Sequence, residues 1–151
     1  MQYWLMKSKP AELSVDDLAR RREKRVGWFG VRNYQARNFM MRDMAIGHHA
    51  YFYHSSCENP GIYGIVEICS AAYPDPTQFD RRSKYFDQTA TKEAPRWFQV
   101  DVRLIAKTRF VSLSELRSHP ALNAMRVLQR GNRLSISPVD AREWLYISKI
   151  L

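Results

Sequence analysis

The residues best suited to chemistry stand between Trp28 and Asn38, in the run W-F-G-V-R-N-Y-Q-A-R-N. The run places a large aromatic residue in a glycine-containing loop, just before a helix that Asn33 would cap. A helix start offers free N–H groups and a positive dipole end, which suit an anion. Arg32 and Arg37 add cations for phosphate, and an amide has the paired donor and acceptor that a base edge requires. The pattern therefore indicates a nucleic-acid contact. The alternative, that Asn33 only caps the helix and Trp28 fills the core, stays open at this point.

The overall charge favours the same class of partner. Lysine and arginine total 24 against 15 acidic residues, which gives a formal charge of +9 and an isoelectric point near 9.8. Such a surplus also fits a merely soluble basic surface. However, Phe, Trp and Tyr make up 13% of the chain, and bases stack on aromatic faces. A basic and aromatic composition is typical of nucleic-acid binding.

Metal and enzyme sites receive little support from the motifs. His48, His49, His54 and Cys57 are zinc-type ligands, but on a strand His49 and His54 face opposite ways and no further pair completes four ligands. The sequence has no P-loop, no dinucleotide fingerprint, no nucleophile elbow and no deaminase signature. We predict no metal, no cofactor and no catalysis. The enzymatic alternative is action on nucleotides by pocket carboxylates, for which the candidates are Asp75, Asp80 and Asp101.

The remaining composition predicts a cytoplasmic domain that is not attached to a membrane. Cys57 and Cys69 form no C-x-x-C pair or disulfide framework. The segment MQYWLMKSKP lacks the features of a signal peptide, and no run approaches 18 apolar residues. We expect a monomer, with a nucleic acid as its partner. A protein–protein adaptor whose aromatic residues anchor a peptide is the other binding alternative.

Short strands and short helices must position these residues. We predict helices that begin at the capping pairs Ser14/Asp17 and Ser112/Glu115, at Asn33, and at Ser137. The first would run to about Arg25. Predicted strands cover Tyr3–Met6, His49–Ser55, Ile62–Cys69, Trp97–Thr108 and Leu134–Ile136, and the second and third form a hairpin. In the long strand, Trp97 and Gln99 are expected on the solvent face. Residues 1–151 therefore form one α/β (α+β) domain, a small mixed sheet or barrel with helices around it.

Six motifs spread along the chain, in order, closely resemble the EVE domain family. They are W-x-G-V-R-N-Y-Q-A-R-N from Trp28, F-Y-H-S at Phe52–Ser55, P-G-I-x-G at Pro60–Gly64, Y-P-D-P-T-Q-F-D at Tyr73–Asp80, P-R-W with V-D-V at Pro95–Val102, and R-L-S-I from Arg133. The resemblance implies a PUA-like mixed β-barrel of about five or six strands surrounded by short helices, related to the YTH domain. His48 and Ser56 depart from the family pattern.

The resemblance also implies a function. EVE domains are thought to read modified bases, notably modified cytosines in DNA, and the YTH relatives read a modified base in RNA between tryptophans. By this likeness Trp28 and Trp97 would hold the base in one aromatic pocket. Polar recognition would come from Ser8, Asn33, Tyr34 and Ser55, and phosphate binding from Lys7, Arg32 and Arg37. The sequence therefore predicts a nucleic-acid binding module for a modified base, in DNA or RNA.

Overall fold

The chain contains eight strands and four α-helices in a computed structural model that describes residues 1–151. The strands are β1 (Tyr3–Ser8), β2 (Arg25–Gly27), β3 (His49–His54), β4 (Gly61–Ile68), β5 (Tyr73–Pro74), β6 (Phe98–Gln99), β7 (Asp101–Ser112) and β8 (Ile136–Val139). The helices are α1 (Val15–Arg20), α2 (Tyr34–Asn38), α3 (Leu113–Arg117) and α4 (Ala141–Ile150). A π-helical turn, Phe39–Asp43, extends α2, and short 3-10 turns cover Arg22–Lys24, Pro76–Phe79, Pro120–Leu122 and Arg126–Leu128. No helix has the length and apolarity to cross a membrane.

Six strands form one sheet in the order β2-β7-β4-β3-β1-β8, and β5 pairs with β6 outside it. Only β1 and β3 run parallel, and the other neighbours are antiparallel. The sheet curls into a half-barrel with the short helices around it, which confirms the predicted mixed PUA-like architecture. The predicted hairpin of β3 and β4 is also confirmed. Because Ser8 pairs with His54 in the parallel register, β1 and β3 end at the same edge of the sheet.

Both faces of the sheet are buried, because alternate side chains of the central strands enter two separate clusters. On β1, Trp4 belongs to a cluster of 18 buried residues and Leu5 to one of 11. On β3, Phe52 and Tyr51 divide in the same way. A strand covered on both sides has no polar face. This explains why β3 is an apolar run rather than an alternating one.

Local capping signals in the sequence are confirmed. The Ser14 hydroxyl accepts the Asp17 N–H at 3.0 Å, and the Asp17 carboxylate accepts the Ser14 N–H at 2.9 Å. Asn33 caps α2 through its side-chain oxygen, which accepts the Ala36 N–H at 3.0 Å. Each of these bonds spans three residues and satisfies a donor that the helix leaves free.

Two helix boundaries differ from expectation. Helix α1 ends at Arg20 rather than near Arg25, because Arg21 adopts extended backbone with a ψ of 154°, and Glu23 then takes a left-handed φ of 59°. The closing helix is capped by Asp140 rather than Ser137. Ser137 and Pro138 belong instead to β8, an edge strand that pairs only with β1 and so tolerates a residue without an N–H.

The long predicted strand is divided into β6 and β7 and is less exposed at its start than expected. Trp97 and Gln99, assigned to the solvent face, are only 7% and 5% exposed. The segment Tyr73–Asp87 covers them: Gln78 accepts the Trp97 backbone N–H, and Gln99 donates to the Tyr73 hydroxyl. The expectation for this face is therefore wrong, because it depended on local alternation and the cover is a distant segment.

Candidate nucleic-acid interface

A cavity of about 920 Å³ opens at the edge of the sheet where the parallel strands β1 and β3 end. The Ser55 N–H donates to the Ser8 carbonyl at 3.0 Å and holds the two strand ends together. The loop from Trp28 to Val31, helix α3 and residues of the segment Val127–Ser135 complete the wall. Ligand pockets typically measure roughly 300–1,000 Å³. The cavity is therefore large enough for an organic ligand of nucleotide size.

Five basic side chains line the cavity, and none forms an ion pair or a side-chain hydrogen bond within the protein. They are Lys7, Lys9, Arg117, Arg130 and Arg133. The one acid in the wall is Glu12, and Lys84 already binds it at 3.0 Å. The Tyr85 hydroxyl donates to the same carboxylate. Positive charge without internal partners in a concave wall attracts an anionic ligand.

Lys7 is the most enclosed of these cations. Its side chain is half-buried at the end of β1, and burial lowers the pKa of its ammonium group below the usual value. The nearest aromatic ring is that of Tyr53, whose centroid lies 6.0 Å from Nζ. A cation in such a place is stabilised by a counter-charge. The protein supplies none, so an anionic group of a ligand would provide it.

Neutral residues with hydrogen-bonding side chains also line this cavity. The Ser8 hydroxyl donates to the Leu13 carbonyl at 2.6 Å, so its oxygen remains available only as an acceptor. The Ser55 hydroxyl, the Tyr53 hydroxyl and the Trp28 indole N–H make no hydrogen bond in the protein, and none is sealed from solvent. Burial raises the pKa of Tyr53 to about 12, so its hydroxyl keeps its proton and can donate.

Trp28 belongs both to the core and to the cavity wall. It is 4% exposed and packs edge-to-face on Phe52, with ring centroids 5.4 Å apart and an interplanar angle of 85°. Its backbone N–H donates to the Val100 carbonyl at 2.8 Å. The two interpretations that the sequence left open are therefore not exclusive. Trp28 is part of the larger core cluster and also lines the cavity.

The loop after Trp28 is anchored by Asp75, whose side chain is fully buried. Asp75 accepts the Gly30 N–H at 2.8 Å, an Arg32 N–H at 3.1 Å and the Thr77 N–H at 2.8 Å. Gly30 has a φ of +84°, and a Cβ atom there would lie 2.8 Å from the Tyr85 ring. Only glycine therefore allows the loop and this ring to form one continuous wall.

The structure does not place Trp97 in the cavity, and the prediction that Trp28 and Trp97 line one pocket is wrong. Trp97 stacks on Tyr34 with centroids 4.9 Å apart, and its indole N–H donates to Asp87 at 2.8 Å. Tyr34 is outside the cavity wall as well. The two tryptophans are separated because the segment Tyr73–Asp87, which contributes Tyr85 to the wall, lies over Trp97.

Three further predicted site residues, Arg32, Asn33 and Arg37, do not line the cavity. All five guanidinium N–H groups of Arg32 have acceptors, which include Asp75, Thr77 and the carbonyls of Val31 and Tyr85. Its predicted phosphate contact is therefore wrong, because no donor remains. Asn33 caps α2, outside the cavity. Arg37 donates to the Arg96 carbonyl at 2.8 Å and to Asn38, and it also lies outside the wall.

Of the nine predicted site residues, the structure brings Lys7, Ser8, Trp28 and Ser55 together at the cavity. Sequence reasoning missed the other aromatic and basic wall residues, which are Phe29, Tyr53, Tyr85, Lys9, Arg117, Arg130 and Arg133. Some signal existed, because Tyr53 lies in the F-Y-H-S motif and two arginines surround Gly-Asn in R-G-N-R. These residues were missed because an aromatic residue in a buried strand is ordinarily assigned to the core, and the basic residues of a turn are ordinarily assigned to the solvent-exposed surface.

The carboxylates considered for catalysis are all outside the cavity wall. Asp75 is bound on several sides as described, and Asp101 accepts from Arg25 at 2.8 Å and from the Tyr73 hydroxyl. Asp80 accepts the Arg82 N–H. The three carboxylates of the enzymatic alternative therefore do not line this cavity. No three His, Cys, Asp or Glu side chains lie close enough together to hold a metal ion.

Comparison with known proteins gives consistent matches along the chain. The family model of the EVE domain matches residues 2–150. Thymocyte nuclear protein 1 of Gallus gallus is 42% identical over an alignment of 164 positions, which covers 96% of this chain and 66% of that protein. The chain therefore spans about two thirds of the length of that relative.

Solved structures match over nearly the whole chain. A protein from Pseudomonas putida superposes with a TM-score of 0.92 at 46% identity, and the match covers 98% of each chain. Human THYN1, solved in complex with DNA containing 5-methylcytosine, superposes with a TM-score of 0.93 at 38% identity and covers 99% of this chain and 97% of its own.

Proposed function

The chain belongs to the EVE domain family, and from this premise we propose that it binds DNA by holding a modified cytosine in the cavity at the ends of β1 and β3. The observation that carries the proposal is the composition of the wall. Five cations without partners and several unused hydrogen-bonding groups converge on one cavity. The DNA complex of the human relative, at 38% identity, supports the same ligand class.

The hydrogen-bonding groups suit the edge of a cytosine. Cytosine presents an amino donor at N4 and an acceptor at O2. The Ser8 oxygen, which can only accept, fits the amino group, and the Trp28 N–H and Tyr53 hydroxyl fit acceptors. Ser55 can serve either way. A base must leave the stack of a duplex to reach these groups, at a cost of a few kcal/mol.

Aromatic and apolar wall residues would recover part of that cost. Stacking on an aromatic ring contributes about 1–3 kcal/mol per base, and Trp28, Phe29, Tyr53 and Tyr85 all line the cavity. A methyl group adds only about 0.8 kcal/mol on burial. Preference for a modified base therefore depends on fit in the cavity more than on the added carbon itself.

Binding without catalysis is part of this proposal. It is supported by a wall whose one carboxylate, Glu12, is neutralised by Lys84. Recognition of a modified base in RNA, a monomeric state and a cytoplasmic location stay predictions.

A blocking substitution tests the proposal. Ser55→Phe introduces a bulky side chain in the cavity wall, and Ser114→Phe is the matched control on an exposed position of α3 outside the wall. We expect the wild type and the control to bind a duplex with one 5-methylcytosine at least several-fold more tightly than the plain duplex, because the fit in the cavity adds to the burial energy of the methyl group. Ser55→Phe should bind both duplexes equally in fluorescence-anisotropy titrations. A preference that survives in Ser55→Phe, with an unchanged thermal melt, would contradict the proposal.

A further inference from the structure

The 129–135 loop (Gln129–Ser135) forms one side of the cavity and is held in place by its own polar groups. The Gln129 amide donates to the carbonyls of Asn123 and Met125 at 2.9 and 3.0 Å. The Asn132 side chain accepts the Leu134 N–H at 2.9 Å. Ser135 accepts the backbone N–H of Lys7 at 2.8 Å, which joins the loop to β1. The loop is therefore an ordered turn fixed to the floor of the site.

Two side chains of this loop have no such internal role. Arg130 and Arg133 are exposed, line the cavity, and contact no acid or carbonyl oxygen of the protein through their guanidinium groups. Between them, Gly131 has a φ of +79°, and a Cβ atom added there would meet no other group within 4 Å. Gln129 and Asn132 thus use their amides to hold the turn, whereas the two arginines line the cavity from this held backbone.

The chemistry of this arrangement fits phosphate. A guanidinium is a planar fork that binds a phosphate through paired hydrogen bonds and keeps its charge at any physiological pH. When one base of a strand occupies the cavity, the phosphates on either side of it must cross the mouth. A polymer carrying one charge per roughly 1.7 Å of duplex offers such groups at close spacing.

We propose that Arg130 and Arg133 form a phosphate-binding site that holds the DNA backbone beside the bound base. This inference rests on the proposed function and deepens it. Phosphate contacts position a nucleic acid and carry no base information. The two arginines therefore contribute affinity for any DNA, and the groups inside the cavity contribute the preference for the modified base.

The test is the salt dependence of duplex binding for the double variant Arg130→Ala with Arg133→Ala. The control is Arg81→Ala with Arg82→Ala, which removes the same charge from two exposed arginines outside the cavity wall. Duplexes with and without one 5-methylcytosine are titrated from low to physiological salt. The loss of two phosphate contacts should reduce the slope of log K against log salt by about 1.8.

We expect the double variant to lose affinity about equally for both duplexes, by roughly tenfold or more at low salt, so that their ratio is kept. A slope equal to that of the Arg81 and Arg82 control would overturn the phosphate site. So would a ratio that falls to one, because the arginines would then contact the base. If the wild type itself binds neither duplex, the proposed function fails, and this inference fails with it.

Discussion

Trp97 shows how a single residue of a family motif can act through packing. Its ring lies between Tyr34 and the Tyr73–Asp87 segment, and its indole N–H is bonded to Asp87. Trp97→Ala should therefore destabilise the fold by about 3–5 kcal/mol, as truncation of buried aromatic residues does. Below its melting temperature the variant should keep the wild-type ratio of affinities for modified and plain DNA.

Urea unfolding and duplex titrations of this variant give both quantities. If the variant lost the preference for modified DNA while its stability stayed close to that of the wild type, Trp97 would belong to the binding site after all.

Asp87 gives the fold a specific sensitivity to acid. Hydrogen bonds from the Thr89 hydroxyl, the Trp97 indole and the Thr89 backbone lower the pKa of Asp87 from 3.8 to about 2. Because the folded-state pKa is the lower one, the carboxylate stabilises the fold above about pH 4. This contribution is lost as the pH falls toward 2.

Asp87→Asn should therefore be less stable than the wild type at neutral pH and show a shallower loss of stability between about pH 4 and pH 2. Chemical denaturation at a series of pH values measures this. Parallel curves for the two proteins would show that Asp87 is not the responsible group.

At the scale of elements, the loop between β2 and α2 depends on Gly30. Both Gly30 and Gly131 have positive φ values, +84° and +79°, but only at Gly30 does an added Cβ meet another group, the Tyr85 ring at 2.8 Å. Each change to alanine incurs backbone strain of about 1–2 kcal/mol. Gly30→Ala should destabilise the protein clearly more than Gly131→Ala, because the ring must also move.

Thermal melts of the two variants isolate the cost of this contact. Equal losses of stability would mean that the Tyr85 ring moves freely and is no fixed part of the cavity wall.

The sequence separation between interacting residues explains which elements can be predicted from the sequence. The Ser14 and Asn33 caps depend on hydrogen bonds between residues three apart, so they are visible in the sequence. The burial of Trp97 depends on Gln78 and Asp87, and the early end of α1 depends on extended backbone at Arg21. Neither local alternation nor composition contains that information.

For the molecule as a whole, the structure shows where part of the positive charge behind the net +9 is concentrated, namely at the cavity. The unpaired cations of the cavity come from the end of β1, from α3 and from the 129–135 loop, which only the fold brings together. The family resemblance predicted Lys7, Ser8, Trp28 and Ser55, all of which lie in this wall, although their binding roles stay predictions. Arg117 and Arg130 lie outside the family motifs. Arg133 begins the R-L-S-I motif, but neither it nor the other two could be singled out as a site residue, because exposed basic residues occur along the entire chain.

The most direct test of the central claim observes the base itself. A duplex with one ¹³C-methyl-labelled 5-methylcytosine is added to the protein, and the methyl resonance is followed by NMR. Entry into a cavity lined by Trp28 and Tyr53 predicts a displaced methyl resonance, because aromatic ring currents act on it, with NOEs to the protons of those two rings. A methyl resonance that stays at its free position while the duplex is bound, or NOEs to Tyr34 and Trp97 instead, would contradict the account.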